Sequence, residues 1–262
     1  MRQERLNLTF DGKIARVELN RTEKRNAVDY EMFLALRTAQ RKIAKQQGIR
    51  LVIISAQGQD FCSGLDVKSV MADKKAVVRL MWKWLPGNAN LVQQVSIGWR
   101  RLKMPVIAII QGRCWGAGLQ IALGADYRIA HTESSFAIME SKWGLIPDMA
   151  GNISLRDIMN KDQALRLAMS AEEIAANKAL ELGLISEVVS DLNLAANSFA
   201  DKLLERSPDA VATVKQLYHR RWQSSPRRWL ASETWAQWRM IFSKNQSIAV
   251  KRQQGNTRDY LD

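Results

Sequence analysis

Leu6-Asn7-Leu8-Thr9-Phe10 alternates apolar and polar side chains, and Ile14-Ala15-Arg16-Val17-Glu18-Leu19 alternates again, with Asp11-Gly12 between them. A period of two with an Asp-Gly junction predicts a β-hairpin. From residue 30 to about 47 the period lengthens. Phe33, Leu36, Ile43 and Ala44 recur at helical spacing, with Asp29 in the N-cap position and Gly48 where the helix would stop. Short runs rich in β-branched residues at 51–55, 105–110, 126–130 and 185–189 read as buried strands, being too brief for buried helices. Helical patterns separate them, and strand-helix alternation predicts an α/β fold with right-handed crossovers.

Ser170-Ala171-Glu172-Glu173 has the form of a capping box and is expected to open a helix that ends near Gly183. After Ser190 the strand patterns stop. Residues 194–206, 208–222, 227–243 and a final short segment read as helix, with Pro208 where an N1 proline belongs. The expected organisation is a core over 1–195 and a helical C-terminal region over 196–262. A chain of 262 residues with 47% hydrophobic content suits one large domain with such an appendage.

Composition then narrows the chemistry. The two cysteines, Cys62 and Cys114, form no CxxC and no Cys/His cluster, so neither a disulfide framework nor a metal site is expected, which fits a reducing cytoplasm. Met1-Arg2-Gln3-Glu4-Arg5 lacks the apolar core of a signal peptide, and no apolar run reaches the roughly 20 residues of a membrane span. A cytoplasmic protein with no membrane partner is expected. The formal net charge of +13 describes either a plain basic surface or a field that attracts nucleic acid, anionic lipid or a phosphate-rich ligand, and charge alone does not choose.

Three glycine-bearing loops follow strands. They are Phe61-Cys62-Ser63-Gly64-Leu65-Asp66, the segment from Gly112 to Gln120 containing Gly116-Ala117-Gly118, and Glu140-Ser141-Lys142-Trp143-Gly144-Leu145-Ile146-Pro147-Asp148. In the second, small residues open a helical pattern. They either bring a ligand against free backbone N–H groups at a helix start or let strand and helix pack closely. The spacing is not that of a P-loop.

These three loops, in this order and spacing, resemble the enoyl-CoA hydratase/isomerase (crotonase) family. The similarity includes the early segment Asn20-Arg21-Thr22-Glu23-Lys24-Arg25-Asn26-Ala27-Val28-Asp29 and the later Ala179-Leu180-Glu181-Leu182-Gly183-Leu184-Ile185. The resemblance implies a spiral of ββα units with a helical C-terminal oligomerisation region, and a homotrimer or hexamer. It implies an acyl-CoA thioester substrate with no separate cofactor, since coenzyme A is part of the substrate. The implied chemistry passes through a thioester enolate held by two backbone N–H groups. In this sequence those donors are Leu65 and Ala117.

The carboxylates then bear on the reaction. Family hydratases carry one glutamate in the second loop and one in the third. Here the third-loop position is Glu140, but the second-loop position is Gln120. An amide orients a water yet exchanges no proton near neutral pH. The expected activity is therefore double-bond migration in an enoyl-CoA, of the Δ3-Δ2 or dienoyl kind, with Glu140 as proton shuttle. Asp148 stands where the family's dienoyl-CoA isomerases carry a second acid; as a residue type after Pro147 it also suits a turn or an N-cap. An enoyl-CoA hydratase is the alternative, and a catalytically weak acyl-CoA- or RNA-binding homologue a further one.

On the CoA side the resemblance points to Lys24 and Arg25 near the phosphates and to Ala27, Cys62, Ser63, Gly64, Asp66 and Gly116 along the rest of the ligand. Both cysteines are expected to be packing residues, since no histidine lies in either motif. The stretch 71–99 is expected to wall an acyl pocket. Basic residues interleave with tryptophan near the C-terminus, in His219-Arg220-Arg221-Trp222 and Arg227-Arg228-Trp229, with Trp235 and Trp238 beyond. Such interleaving suits nucleic acid, whereas the i,i+3 spacing of Trp235 and Trp238 reads as a buried stripe, and the family resemblance implies a tail that packs between subunits, so an oligomer interface is the expectation.

Overall fold

Strands β1 (Leu6–Asp11) and β2 (Ile14–Leu19) form the predicted hairpin, pairing antiparallel with Asp11 opposite Ile14. Gly12 supplies the positive φ that the turn needs. The computed structural model describes residues 4–261; Met1, Arg2 and Gln3, which began the N-terminal segment read above, lie outside the described residues. Helix α1 (Tyr30–Lys45) starts at Asp29, whose side chain accepts the Met32 N–H, and buries Met32, Phe33, Leu36, Ala39 and Ile43.

β3 (Leu51–Ala56), β4 (Val106–Ile110), β6 (Tyr127–His131) and β9 (Glu187–Val189) continue from β2 in parallel, in the order β1-β2-β3-β4-β6-β9. Both faces of this sheet are covered, so its inner strands read as unbroken apolar runs. Val52, Ile54 and Ala108 face the larger core with the α1 stripe. Leu51, Ile53, Ile107, Ile109 and Ile129 face the other way, under α9 (Leu192–Leu204) and its Ala196 and Ala200.

Between β3 and β4 the chain makes a long excursion through α2 (Val67–Ala72), α3 (Lys74–Met81) and α4 (Leu91–Arg101). Asp66, Asp73 and Asn90 cap these three helices in turn. A second, three-stranded sheet was not foreseen: β5 (Arg113–Trp115), β7 (Ser135–Ala137) and β8 (Ile174–Ala175), in the order β5-β7-β8. Strands of two or three residues are too short to show a period. Helix α5 (Ala117–Ala122) follows β5; a 3₁₀ turn at Glu140–Trp143, then α6 (Gly151–Ile158) and α7 (Lys161–Ser170), follow β7.

The expected capping box at Ser170 does not form. Ser170 ends α7 and its hydroxyl donates to the Arg166 carbonyl. Ile174–Ala175 forms β8 and pairs with β7, and α8 (Ala176–Glu181) opens only afterwards. Pairing across the sheet outweighs the local capping preference. The C-terminal helices are α10 (Pro208–Arg221), α11 (Pro226–Ile241) and α12 (Lys244–Gln253), with Pro208 in the first turn of α10 as expected.

Candidate active site

The early segment is sewn to the first glycine loop. Arg25 and Asn26 both take left-handed backbone, with φ 50° and 56°. Asn26 makes that turn affordable: its side chain accepts the Arg21 N–H and donates to the Gln57 and Asp60 carbonyls. The buried Arg21 guanidinium pairs with Asp66 at 2.9 Å and lies 3.5 Å from Asp29. Across the junction, Ser63 N–H donates to the Arg25 carbonyl, Val28 N–H to Gly64 and Asp66 N–H to Val28. Arg21 and Asn26 stood in the early segment of the resemblance without a role of their own, and Asp60 was missed; all three organise the junction.

Asp66 turns its side chain inward to Arg21 and to the Ser69 N–H. These partners outweigh burial, which alone would raise its pKa, and hold it below the ordinary carboxylate value. Lys24 and Arg25 are exposed beside this loop. Neither they nor Ala27, Cys62 and Asp66 line the cavity described below, whereas Ser63, Gly64 and Gly116 do.

The first two loops meet backbone to backbone. Cys62 N–H donates to Arg113 O and Trp115 N–H to Cys62 O. Gly64 and Gly116 have φ of 111° and 46°, and a Cβ on Gly116 would lie 3.8 Å from the Gly64 Cα. Gly118 serves packing instead: a Cβ there would fall 2.5 Å from the Cys62 Cβ. The close-packing reading of these small residues therefore applies at Gly118. Leu65 and Ala117 flank this junction and line the same cavity. Ala117 opens α5, so its N–H is one of the helix's orphan donors. The two thiols are buried and free, and burial pushes Cys62 up to about 12 and Cys114 well above its ordinary value. Such burial disfavours the thiolate that a nucleophile needs.

A cavity of about 610 Å³ runs from these loops toward α2, α3 and α4. Its far wall is aliphatic, built from Val70, Val77, Leu80, Met81 and Val92. Among the described residues, the charged groups in its lining are Glu140, Lys142 and Asp148. Glu140 opens the 3₁₀ turn after β7, and a Cβ on Gly116 would come 3.9 Å from its Cδ. Its Oε1 accepts from Gln120 Nε2 at 2.6 Å, while its Oε2 is buried with no partner. Burial raises the Glu140 pKa, the Asp148 charge adds to the rise, and the Gln120 hydrogen bond opposes it. Burial also raises Asp148. Asp148 caps no helix, since the residue before α6 is Ala150.

Gln120 is only 2% exposed and lies behind Glu140, outside the cavity lining. The structure therefore brings together Leu65, Ala117, Glu140 and Asp148 at one aliphatic cavity, with Gln120 supporting them. A carboxylate with a raised pKa beside an apolar chamber is suited to moving a proton to or from a carbon next to a carbonyl.

Comparison with known proteins bears on the family and the fold. The family model described as enoyl-CoA hydratase/isomerase matches residues 9–254. Carnitinyl-CoA dehydratase from Salmonella paratyphi A is 30% identical over 219 residues, covering 82% of this chain and 80% of the relative. The structure of enoyl-CoA hydratase from Bacillus anthracis superposes with a TM-score of 0.87 over 98% of both chains, at 24% identity, which speaks to the fold. A Thermobifida fusca protein solved in complex with acetoacetyl-CoA is 28% identical, with a TM-score of 0.79 over 91% of this chain and 95% of that one.

Proposed function

Because the chain belongs to the enoyl-CoA hydratase/isomerase family, we propose that it moves a double bond within the acyl chain of an enoyl-CoA, with Glu140 as the proton shuttle. The observation that carries this reading is the partner of Glu140. The group 2.6 Å from its Oε1 is the amide nitrogen of Gln120, where a second carboxylate would be needed to activate water from both sides.

The proton balance is simple. The Glu140 carboxylate takes a proton from C2 of a 3-enoyl thioester. The C–H electrons form the C1–C2 double bond of a dienolate, and the thioester oxygen gains the negative charge. Backbone N–H groups of Leu65 and Ala117 hold that oxyanion. Glu140 then returns its proton to C4, the double bond comes to rest between C2 and C3, and no atom is gained or lost. A raised Glu140 pKa suits a group that must both take and give a proton near neutral pH. The aliphatic wall suits the chain, and Lys24 and Arg25 suit the CoA phosphates.

Hydration is the second reading. It is favoured by Asp148, a second acid in the cavity, and by relatives named as a dehydratase and a hydratase. Supplying a 3-enoyl-CoA and a 2-enoyl-CoA separately, and following conjugation of the thioester by ultraviolet absorbance, divides the two. We expect absorbance to rise with the 3-enoyl substrate and to hold steady with the 2-enoyl one; rapid loss from the 2-enoyl substrate would replace isomerisation with hydration. Glu140→Gln should slow turnover by about 10²–10⁴-fold, the usual share of a general base, while CoA-thioester binding persists. Turnover unchanged in that variant would mean that Glu140 is not the base, and no turnover of either substrate by the wild type would leave an acyl-CoA- or RNA-binding homologue as the reading.

Assembly into a homotrimer or hexamer belongs to the same proposal. Trp235 and Trp238 on α11 are 73% and 52% exposed in the single chain, and Phe242 stacks on Trp238 beside Ile241. Apolar surface of this density suits a partner copy. Sedimentation of the purified protein as a monomer would overturn it.

A further inference from the structure

Gln120 links Glu140 to the backbone that follows Asp148. Its Oε1 accepts two backbone N–H groups, Met149 at 3.0 Å and Gly151 at 3.2 Å. Those two donors point at one oxygen because Ala150 between them is left-handed, with φ 66°. Gly151 is required close by, since a Cβ there would sit 3.0 Å from the Gln120 oxygen. With its oxygen held twice, the carboxamide has one orientation, and its nitrogen must face Glu140 Oε1.

We propose that Gln120 is a positioning residue: it binds the loop that follows Asp148 on one side and grips Oε1 of Glu140 on the other, so that the Glu140 carboxylate is held in one orientation at the cavity. This rests on Glu140 being the base. The carboxamide also sets when Glu140 is ionised, because an N–H donated to a carboxylate favours its charged form. Charged residues on the surrounding elements are Arg100 and Arg101, Arg156 and Asp157, and Lys161, Asp162 and Arg166, with Lys142 and Asp148 in the cavity lining. Arg100 is engaged by Asp157 and Arg166 by Glu172. The charge that bears on Glu140 is Asp148.

Two substitutions take the donor away differently. Gln120→Glu keeps an acceptor for Met149 and Gly151 but turns a carboxyl oxygen on Glu140, so the pair must share a proton. Gln120→Met removes donor and acceptor and adds no charge. The readout is exchange of the C2 protons of a saturated acyl-CoA, hexanoyl-CoA, in heavy water, followed by proton NMR across pH. This step needs the base and the oxyanion donors but neither isomerisation nor hydration.

Expected is an acidic limb that moves up by about one pH unit or more in Gln120→Glu, and upward also in Gln120→Met, with binding of hexanoyl-CoA changed less than threefold. In Gln120→Met the plateau should fall as well, because Glu140 is no longer oriented. A limb that stays at the wild-type position in either folded variant would overturn the inference while the Glu140 reading stands. Wild-type protein that exchanges no C2 proton would overturn the Glu140 reading and this one with it. Should Gln120→Met fail to fold, Gln120→Glu alone decides, since it retains both backbone hydrogen bonds.

Discussion

Glu140 shows how a site residue can cost stability. Its carboxyl is buried, one oxygen has no partner, and its pKa is raised in the folded protein. A raised carboxyl binds its proton more tightly folded than unfolded, so its contribution to stability falls as pH rises from the unfolded value through the folded one. Glu140→Gln should therefore unfold at a higher temperature than wild type at pH 8. The difference should vanish below pH 4, where the glutamate is protonated in both states. Calorimetry at the two pH values checks this; a difference independent of pH would mean that ionisation of Glu140 is not what strains the fold. The penalty is the ordinary consequence of placing a carboxylate in an apolar chamber rather than in water.

At the scale of elements, α10 is tied to the core by one buried cation. Lys215 Nζ donates to the Trp99 carbonyl at 3.2 Å, to the Met104 carbonyl at 2.9 Å and to Asp126 Oδ2 at 2.8 Å. Asp126 in turn accepts the Val106 N–H at the start of β4 and bonds His219 one turn along α10. Burial alone would raise the Asp126 carboxyl, but Lys215 and His219 outweigh it and hold it below its usual value. Burial lowers the Lys215 pKa. Lys215→Met leaves Asp126 buried without its main counter-charge and should cost about 3–5 kcal/mol in urea unfolding. A loss under about 1 kcal/mol would show that the pair merely breaks even with an apolar contact. Because the Asp126 pKa is depressed, its contribution is present above the ordinary carboxylate range and is lost as pH falls through the folded value.

Over the whole molecule, 39 basic residues against 26 acidic ones give the chain its net charge of +13. No helix among the described residues is long and apolar enough to cross a membrane. If the field serves a phosphate-bearing thioester, KM for an enoyl-CoA should rise several-fold between about 50 and 500 mM salt, where the screening length falls from about 14 Å to about 4 Å, while kcat holds steady. A KM that ignores salt would confine recognition to short-range contacts. The same titration read with single-stranded RNA tests whether the basic, tryptophan-rich C-terminal helices bind nucleic acid; a salt-dependent complex there would point away from an interface between copies.

The sequence by itself determined the strands of the larger sheet, most helices and the identity of the site's three loops. Each depends on neighbours in the chain: alternation in β1 and β2, the Asp29 cap of α1, the apolar stripes of the C-terminal helices, and glycines where φ must be positive. Glu140, Leu65 and Ala117 were legible as candidates because motif spacing carries them, and the fold lines one cavity with all three. Three things depended on residues far apart in the chain and so were decided only in the folded molecule. The sheet of β5, β7 and β8 joins segments too short to have a period, and its pairing overrode a capping box that looked sound locally. The buried ion pairs of Arg21 and Lys215 join charges that are individually unremarkable in sequence. Gln120 looked like a substitution that subtracts a carboxylate. Tertiary structure made it a fixed support, because an amide can accept two N–H groups with its oxygen and donate to Glu140 with its nitrogen, and a carboxylate has no N–H to give.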